Sequence, residues 1–98
     1  MTTAINVIHP GEILNEEFLK PLKITQNRLA MELRVPARRI NEIVLERRGI
    51  SADTALRLSA FFGNSAEFWM NLQEDYELRI ARNEIEDEIK MIRHLAFA

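Results

Sequence analysis

Apolar residues recur three and four positions apart along most of this chain, the period of helices that bury one face. A first helix begins at His9-Pro10-Gly11-Glu12, where Pro10 suits the opening position and Glu12 the positively polarised first turn. Ile13, Leu14 and Phe18 form its apolar stripe, and Pro21 is expected to end it. A second helix is expected over about 25–33, with Thr25 as N-cap and Leu29, Ala30 and Leu33 inward. Arg34-Val35 is a short turn, and Pro36 opens a third helix over about 36–44. Ile40, Ile43 and Val44 face its inner side. A loop carrying Arg47-Arg48-Gly49 follows. Ser51 caps a fourth helix, with Asp53 in its first turn and Ala55, Leu56, Ser59 and Phe62 expected inside. Gly63-Asn64 is a stop signal, and Ser65 caps a fifth helix bearing Phe68, Trp69, Leu72 and Tyr76.

From about 77 to 95 the chain has no proline or glycine and stays helix-prone. Ala81, Ile85, Ile89, Ile92 and Ala96 fall on one stripe, surrounded by Glu84, Glu86, Asp87 and Glu88. Such a stripe needs a cover. It can fold back on its own domain or pair with a second subunit. The subunit is favoured, because a lone solvated helix would leave the stripe exposed. The expectation is an all-α single domain over 1–98, with a core at about 9–76 and a C-terminal helical extension at about 77–98.

Composition supports this picture. Of 98 residues, 47% are hydrophobic and 29% charged, which suits a folded globular chain. The absence of cysteine excludes disulfides, thiolate metal sites and a cysteine nucleophile. Residues 1–7 lack the basic start and apolar core of a secretory leader. No stretch approaches the roughly 18 apolar residues of a membrane helix, so a cytoplasmic location and no membrane partner are expected. The net charge of −2 conceals a split. Residues 21–50 carry seven basic and three acidic side chains, net +4, whereas residues 64–98 carry four basic and eight acidic, net −4. Different faces should therefore meet different partners.

The basic part coincides with the second and third helices, and together they have the features of a helix-turn-helix. Two short helices must pack at a sharp angle across a tight turn, and the second must present polar groups to the major groove of DNA. Small Ala30 permits the close approach, and Val35, Ile40 and Ile43 anchor the unit. Ala37, Arg38, Asn41 and Glu42 are then expected on the outer face, with Arg39 towards the flank. Arg38 can bond a guanine O6/N7 edge and Asn41 an adenine N6/N7 edge. Glu42 can accept from a cytosine amine or orient a neighbouring arginine, and Ala37 can touch a thymine methyl. Thr25, Gln26 and their helix N-terminus suit a phosphate. Arg47 and Arg48 suit phosphates better than bases, and Arg39 fits either role. Taken singly, Arg38 or Arg39 is most often a solvated arginine, Asn41 and Glu42 can simply decorate a surface, Glu42 can make an internal salt bridge, and Gln26 can order the helix pair without touching DNA.

These residues also resemble a known family. His9 to Leu14, Leu29-Ala30, Arg38 to Ile43, Arg47 to Ile50, Ser51 to Leu58 and Glu67 to Gln73 look like the HigA-type antitoxins, also described as virulence-associated protein I, within the Xre/lambda-repressor-like helix-turn-helix proteins. The resemblance covers about 9–81, and its specific parts are Ala-Asp-Thr-Ala-Leu-Arg-Leu and Glu-Phe-Trp-Met-Asn-Leu-Gln. It implies a five-helix lambda-repressor-like domain and a homodimer on a palindromic double-stranded DNA operator. It also implies repression of the chain's own operon and neutralisation of a HigB toxin, a RelE-like mRNA interferase. The family's DNA contacts carry over best to Gln26, Arg38, Asn41, Glu42 and Arg47. Two positions depart from its pattern. Arg34 and Glu46 stand where glycine is frequent, which implies a strained or altered turn at Arg34. At Glu46 it places an acid beside the DNA face, weakening phosphate attraction or pairing with Arg47 or Arg48.

Other chemistry finds no support. Trp69 and Tyr76 read as core or interface aromatics at helical spacing rather than a ligand pocket. His9 and His94 have no metal or catalytic spacing, and no phosphate loop or nucleophile motif occurs. No cofactor and no enzymatic activity are expected. The alternatives to an antitoxin are a stand-alone Xre-type regulator and a protein-interaction module that has lost DNA binding, the last suggested by the acidic balance and Glu46.

Overall fold

A computed structural model of the chain describes residues 7–96; of the N-terminal stretch 1–7, only Val7 falls within it. Among the described residues every regular element is helical. The first helix, α1, runs as Pro10–Ile13, a π-helical stretch Leu14–Leu19 and a last α turn Lys20–Leu22. It is followed by α2 (Gln26–Leu33), α3 (Ala37–Val44), α4 (Ala52–Phe62), α5 (Ala66–Glu84) and α6 (Glu86–Lys90).

Local chemistry sets most of the boundaries. His9 caps α1, its Nδ1 accepting from the Gly11 N–H at 2.9 Å, with Pro10 in the first turn. Pro21 does not end this helix. A proline has no N–H to give and its ring crowds the carbonyl four residues back. The π-helical stretch, with bonds spanning five residues, lies just before it, and the chain completes another turn. Lys23 then stops the helix in the left-handed region, φ 56°, while the Ile24 N–H reaches back to the Leu19 carbonyl. Thr25, Ser51 and Ser65 cap α2, α4 and α5 as expected, each side chain accepting from a backbone N–H three residues on. Pro36 is itself the N-cap of α3, and Gly63 closes α4 in the left-handed region.

Leu14, Leu29, Ile40, Ile43, Ala55, Leu58 and Trp69 are fully buried and form the core. Leu58 takes the place expected for Leu56, which lies outside at 61% exposure. The buried face of α4 is Thr54, Ala55 and Leu58, and Leu56 stands some 100° away from Ala55 on the helix. Trp69 stacks near Phe18 and Phe62, and its indole N–H donates to Asn64 Oδ1 at 3.0 Å, so its polar edge is satisfied. α2 packs on α3 and α4, α4 on α5, and α1 lies against α3 and α5. α1 comes so close to the end of α3 that a Cβ on Gly11 would overlap the Ile43 carbonyl oxygen.

α5 continues unbroken past Tyr76 to Glu84. The long helix expected to carry on from there does not. The chain breaks at Ile85, restarts as the five residues of α6, and leaves the helix after Lys90, so Ile92 and Ala96 are not part of a continuous helical stripe. The acidic cluster suits the break. Glu84 is unfavourable at the negative end of α5, whereas Glu86, Asp87 and Glu88 suit the positive start of a new helix. The end of the chain also stands away from the core. The radius of gyration is 16.7 Å, against about 13 Å for a compact domain of this size.

Candidate nucleic-acid interface

The turn between α2 and α3 is made by Arg34 in the left-handed conformation, φ 62°. Its N–H donates to the Met31 carbonyl, and the Val35 N–H to the Ala30 carbonyl at 3.0 Å. Of the two outcomes expected at this position the strained one is present: Arg34 holds the left-handed conformation that a glycine would adopt freely. An arginine from α4 secures it: Arg57 Nη1 donates to the Leu33 carbonyl at 2.8 Å, satisfying the end of α2. Arg57 Nε also donates to Asp53 Oδ1 at 2.8 Å, and the same oxygen accepts from Arg39 Nη1 at 2.7 Å. Asp53 thus ties α3 to α4, and α4 holds the turn. The guanidinium groups of Arg57 and Arg39 keep the Asp53 carboxyl below its ordinary range. In this structure Arg39 is a buttress of the helix pair.

Of the expected DNA-facing residues, hydrogen bonds join Gln26 to Asn41 and both Arg38 and Arg48 to Glu42, while Thr25 and Arg47 are exposed. Arg38 is open to solvent, with 84% of its side chain exposed. Ala37, Asn41 and Glu42, expected outside with it, are half-buried. Ala37 packs against the core from the first position of α3. Asn41 is covered by Gln26, its Nδ2 donating to Gln26 Oε1 at 2.6 Å across the two helices. Glu42 is covered by two arginines: Oε2 accepts from Arg38 Nε at 2.7 Å, and Oε1 from Arg48 Nε at 2.9 Å. Bonds from Arg38 and Arg48 hold the Glu42 carboxyl below its ordinary range. Arg48 accordingly turns to Glu42 and not to Glu46. Glu46 has φ 63°, and its charge acts on the imidazole of His9. Arg47 is exposed on the loop.

Several contributors escape a reading of the sequence. His9 is nearly buried, edge-on to Tyr76 with ring centroids 4.7 Å apart, and burial lowers its pKa below 6.5. Gln73 Oε1 accepts from the Ile50 N–H at 2.7 Å, fixing the exit of the arginine loop, and a Cβ on Gly49 would collide with the Gln73 amide. The Asp53–Arg57 spacing of four residues on one helix is a local signal. Far along the chain, Ala81 is half-buried and Ile85, Ile89 and Ile92 are exposed. Among the described residues no group of histidine, cysteine, aspartate and glutamate could hold a metal, and no helix is long and apolar enough to cross a membrane.

A capped α2, a tight left-handed turn and an α3 with a polar outer face define a helix-turn-helix protein, and a helix-turn-helix family profile matches residues 16–69. Within that class the chain belongs to the HigA antitoxin family. It is 54% identical over 77 residues to virulence-associated protein I of Dichelobacter nodosus, covering 79% of this chain and 71% of that one. It is 34% identical over 85 residues to antitoxin HigA-1 of Vibrio cholerae, covering 87% and 80%. The solved structure of Pseudomonas aeruginosa antitoxin HigA with higBA promoter superposes with a TM-score of 0.88 at 48% identity, covering 92% of this chain and 99% of that one. The family is one of DNA-binding regulators and not of enzymes.

Proposed function

We propose that this chain is the antitoxin of a type II toxin–antitoxin pair, which represses its own operon as a homodimer on a palindromic operator. It also neutralises a HigB/RelE-like mRNA interferase. The observation that carries the DNA half is the outer face of α3. Arg38 is exposed there, and Asn41 is held by Gln26 at the N-terminus of α2. Arg38 and Asn41 read base edges, while Thr25, Gln26, Arg47 and Arg48 bind phosphates and set the register. The relative from Pseudomonas aeruginosa, solved with promoter DNA, supports this reading. The antitoxin half rests on kinship with proteins named as HigA antitoxins. The dimer rests on Ala81, Ile85, Ile89 and Ile92, which leave an apolar surface outside the core.

A gel shift with the gene's own promoter tests the DNA half. Specific binding is expected, and no preference over unrelated DNA would refute it. Co-purification with the product of the adjacent gene tests the antitoxin half, and the expected partner is a small basic protein. Specific DNA binding without such a partner would make the chain a stand-alone regulator.

A further inference from the structure

We infer that Glu42 is a positioning residue for DNA reading: its carboxylate forks between Arg38 on α3 and Arg48 on the following loop, holding both in place before DNA arrives. Each carboxylate oxygen serves a different arginine. Arg38 is gripped at Nε, 2.7 Å away, behind the terminal nitrogens that would meet a base. Arg48 is gripped through both Nε at 2.9 Å and Nη2 at 2.8 Å. An arginine with 84% of its side chain in water samples many rotamers unless something holds it. Glu42 is itself well placed to hold, being only 23% exposed in its side chain and set on the rigid α3. Ion pairs between exposed side chains add little to folding stability. The fork therefore acts on recognition, where a pre-set geometry converts into discrimination. It also accounts for an acid in the middle of a DNA-facing surface, which otherwise only repels phosphate.

This inference rests on the DNA-reading role proposed for α3, and its test separates the two. In Glu42→Gln the shape is kept and the charge removed. In the free full-length protein, arginine Nε–H resonances of Arg38 and Arg48 should be protected from exchange in the wild type and lose that protection in the variant. The melting temperature should hardly change. Binding to unrelated DNA should strengthen, because one negative charge is gone. The ratio of operator to unrelated-DNA affinity should fall about tenfold, within the discrimination a bidentate base contact provides. In an Arg38→Ala background, Glu42→Gln should change that ratio by less than about twofold, because Glu42 acts through Arg38.

Unprotected Nε–H groups in the wild type would overturn the inference outright. An unchanged ratio in a selective wild type would overturn it while leaving the DNA-reading role intact. Full additivity of the two substitutions would overturn it in favour of a direct base contact by Glu42. A wild type with protected arginines and no operator preference would overturn both proposals.

Discussion

Among the described residues three that are not glycine, Lys23, Arg34 and Glu46, adopt left-handed backbone conformations, a state that costs an L-residue about 1–2 kcal/mol. Arg34→Gly should therefore stabilise the protein by about 1 kcal/mol in urea unfolding, since the turn needs only its backbone. Gly11 is the opposite case. Gly11→Ala should destabilise by about 1–3 kcal/mol, because α1 must move off the Ile43 carbonyl to admit a methyl group. His9 gives a pH signature. Its folded pKa lies below 6.5, so the folded state prefers the neutral ring. The unfolded chain then binds the proton first, and this contribution to stability declines as pH falls through about 6.5. Tyr76 and the charge of Glu46 face the ring, and Glu46 opposes the shift without reversing it. His9→Asn keeps a capping side chain and should flatten the fall in urea midpoint between about pH 7.5 and about pH 5.5. Asp53 and Glu42 are depressed acids. Their contribution, small for ion pairs at the surface, is present above the ordinary carboxylate pKa and is lost at lower pH, through their folded values.

At the scale of elements, α3 and the loop after it should make different kinds of contact with DNA, and substitutions should tell them apart. Arg38→Ala or Asn41→Ala should each cost about 1–3 kcal/mol of operator binding and relax preference at one base pair. Arg47→Ala should weaken binding to all sequences and reduce the salt slope by about 1. Salt-dependent titrations on operator and unrelated DNA check both. The same elements show how far local pattern reaches. Thr25, Ser51 and Ser65 are caps in the structure as in the sequence, because an N-cap is a contact within three residues. Ile40 and Ile43 are core for the same local reason. Arg39 is a different matter. Its partner Asp53 lies fourteen residues away on another helix, so its position on a helical flank leaves base and phosphate contact equally open in the sequence. The extent of α1 is not legible at Pro21, where the usual rule that proline ends a helix meets a π-helical stretch that carries the chain past it.

For the whole molecule the question is what covers the chain end. Ile85, Ile89 and Ile92 are 45%, 50% and 69% exposed, at the end of a body extending 56 Å along its longest axis. Removing everything after Glu84 leaves α5 whole and deletes these residues. Light scattering should then report a monomer, whereas the full chain should run as the proposed dimer. A dimer that persists would put the interface on the helices before it. Because operator affinity of a dimer depends on both half-sites, the truncated protein should also bind its operator more weakly at equal concentration.

Period, caps and charge run within a few residues of each other, and they sufficed to determine an all-helical chain, the helix-turn-helix and the separation of a basic segment from an acidic end. Tertiary structure decided which outer side chains are free. Arg38, Arg39, Asn41 and Arg48 look alike as polar residues on or beside one helix. The Arg38–Glu42 pair, four residues apart on one helix, is local, but only the folded chain brings Asp53 to Arg39 and Gln26 to Asn41. It also decided that Gly11 must be small, that a side chain at Gly49 would displace the Gln73 amide, and that Gln73 closes the arginine loop. Those are contacts between segments distant in the chain, and no local pattern encodes which segments will meet.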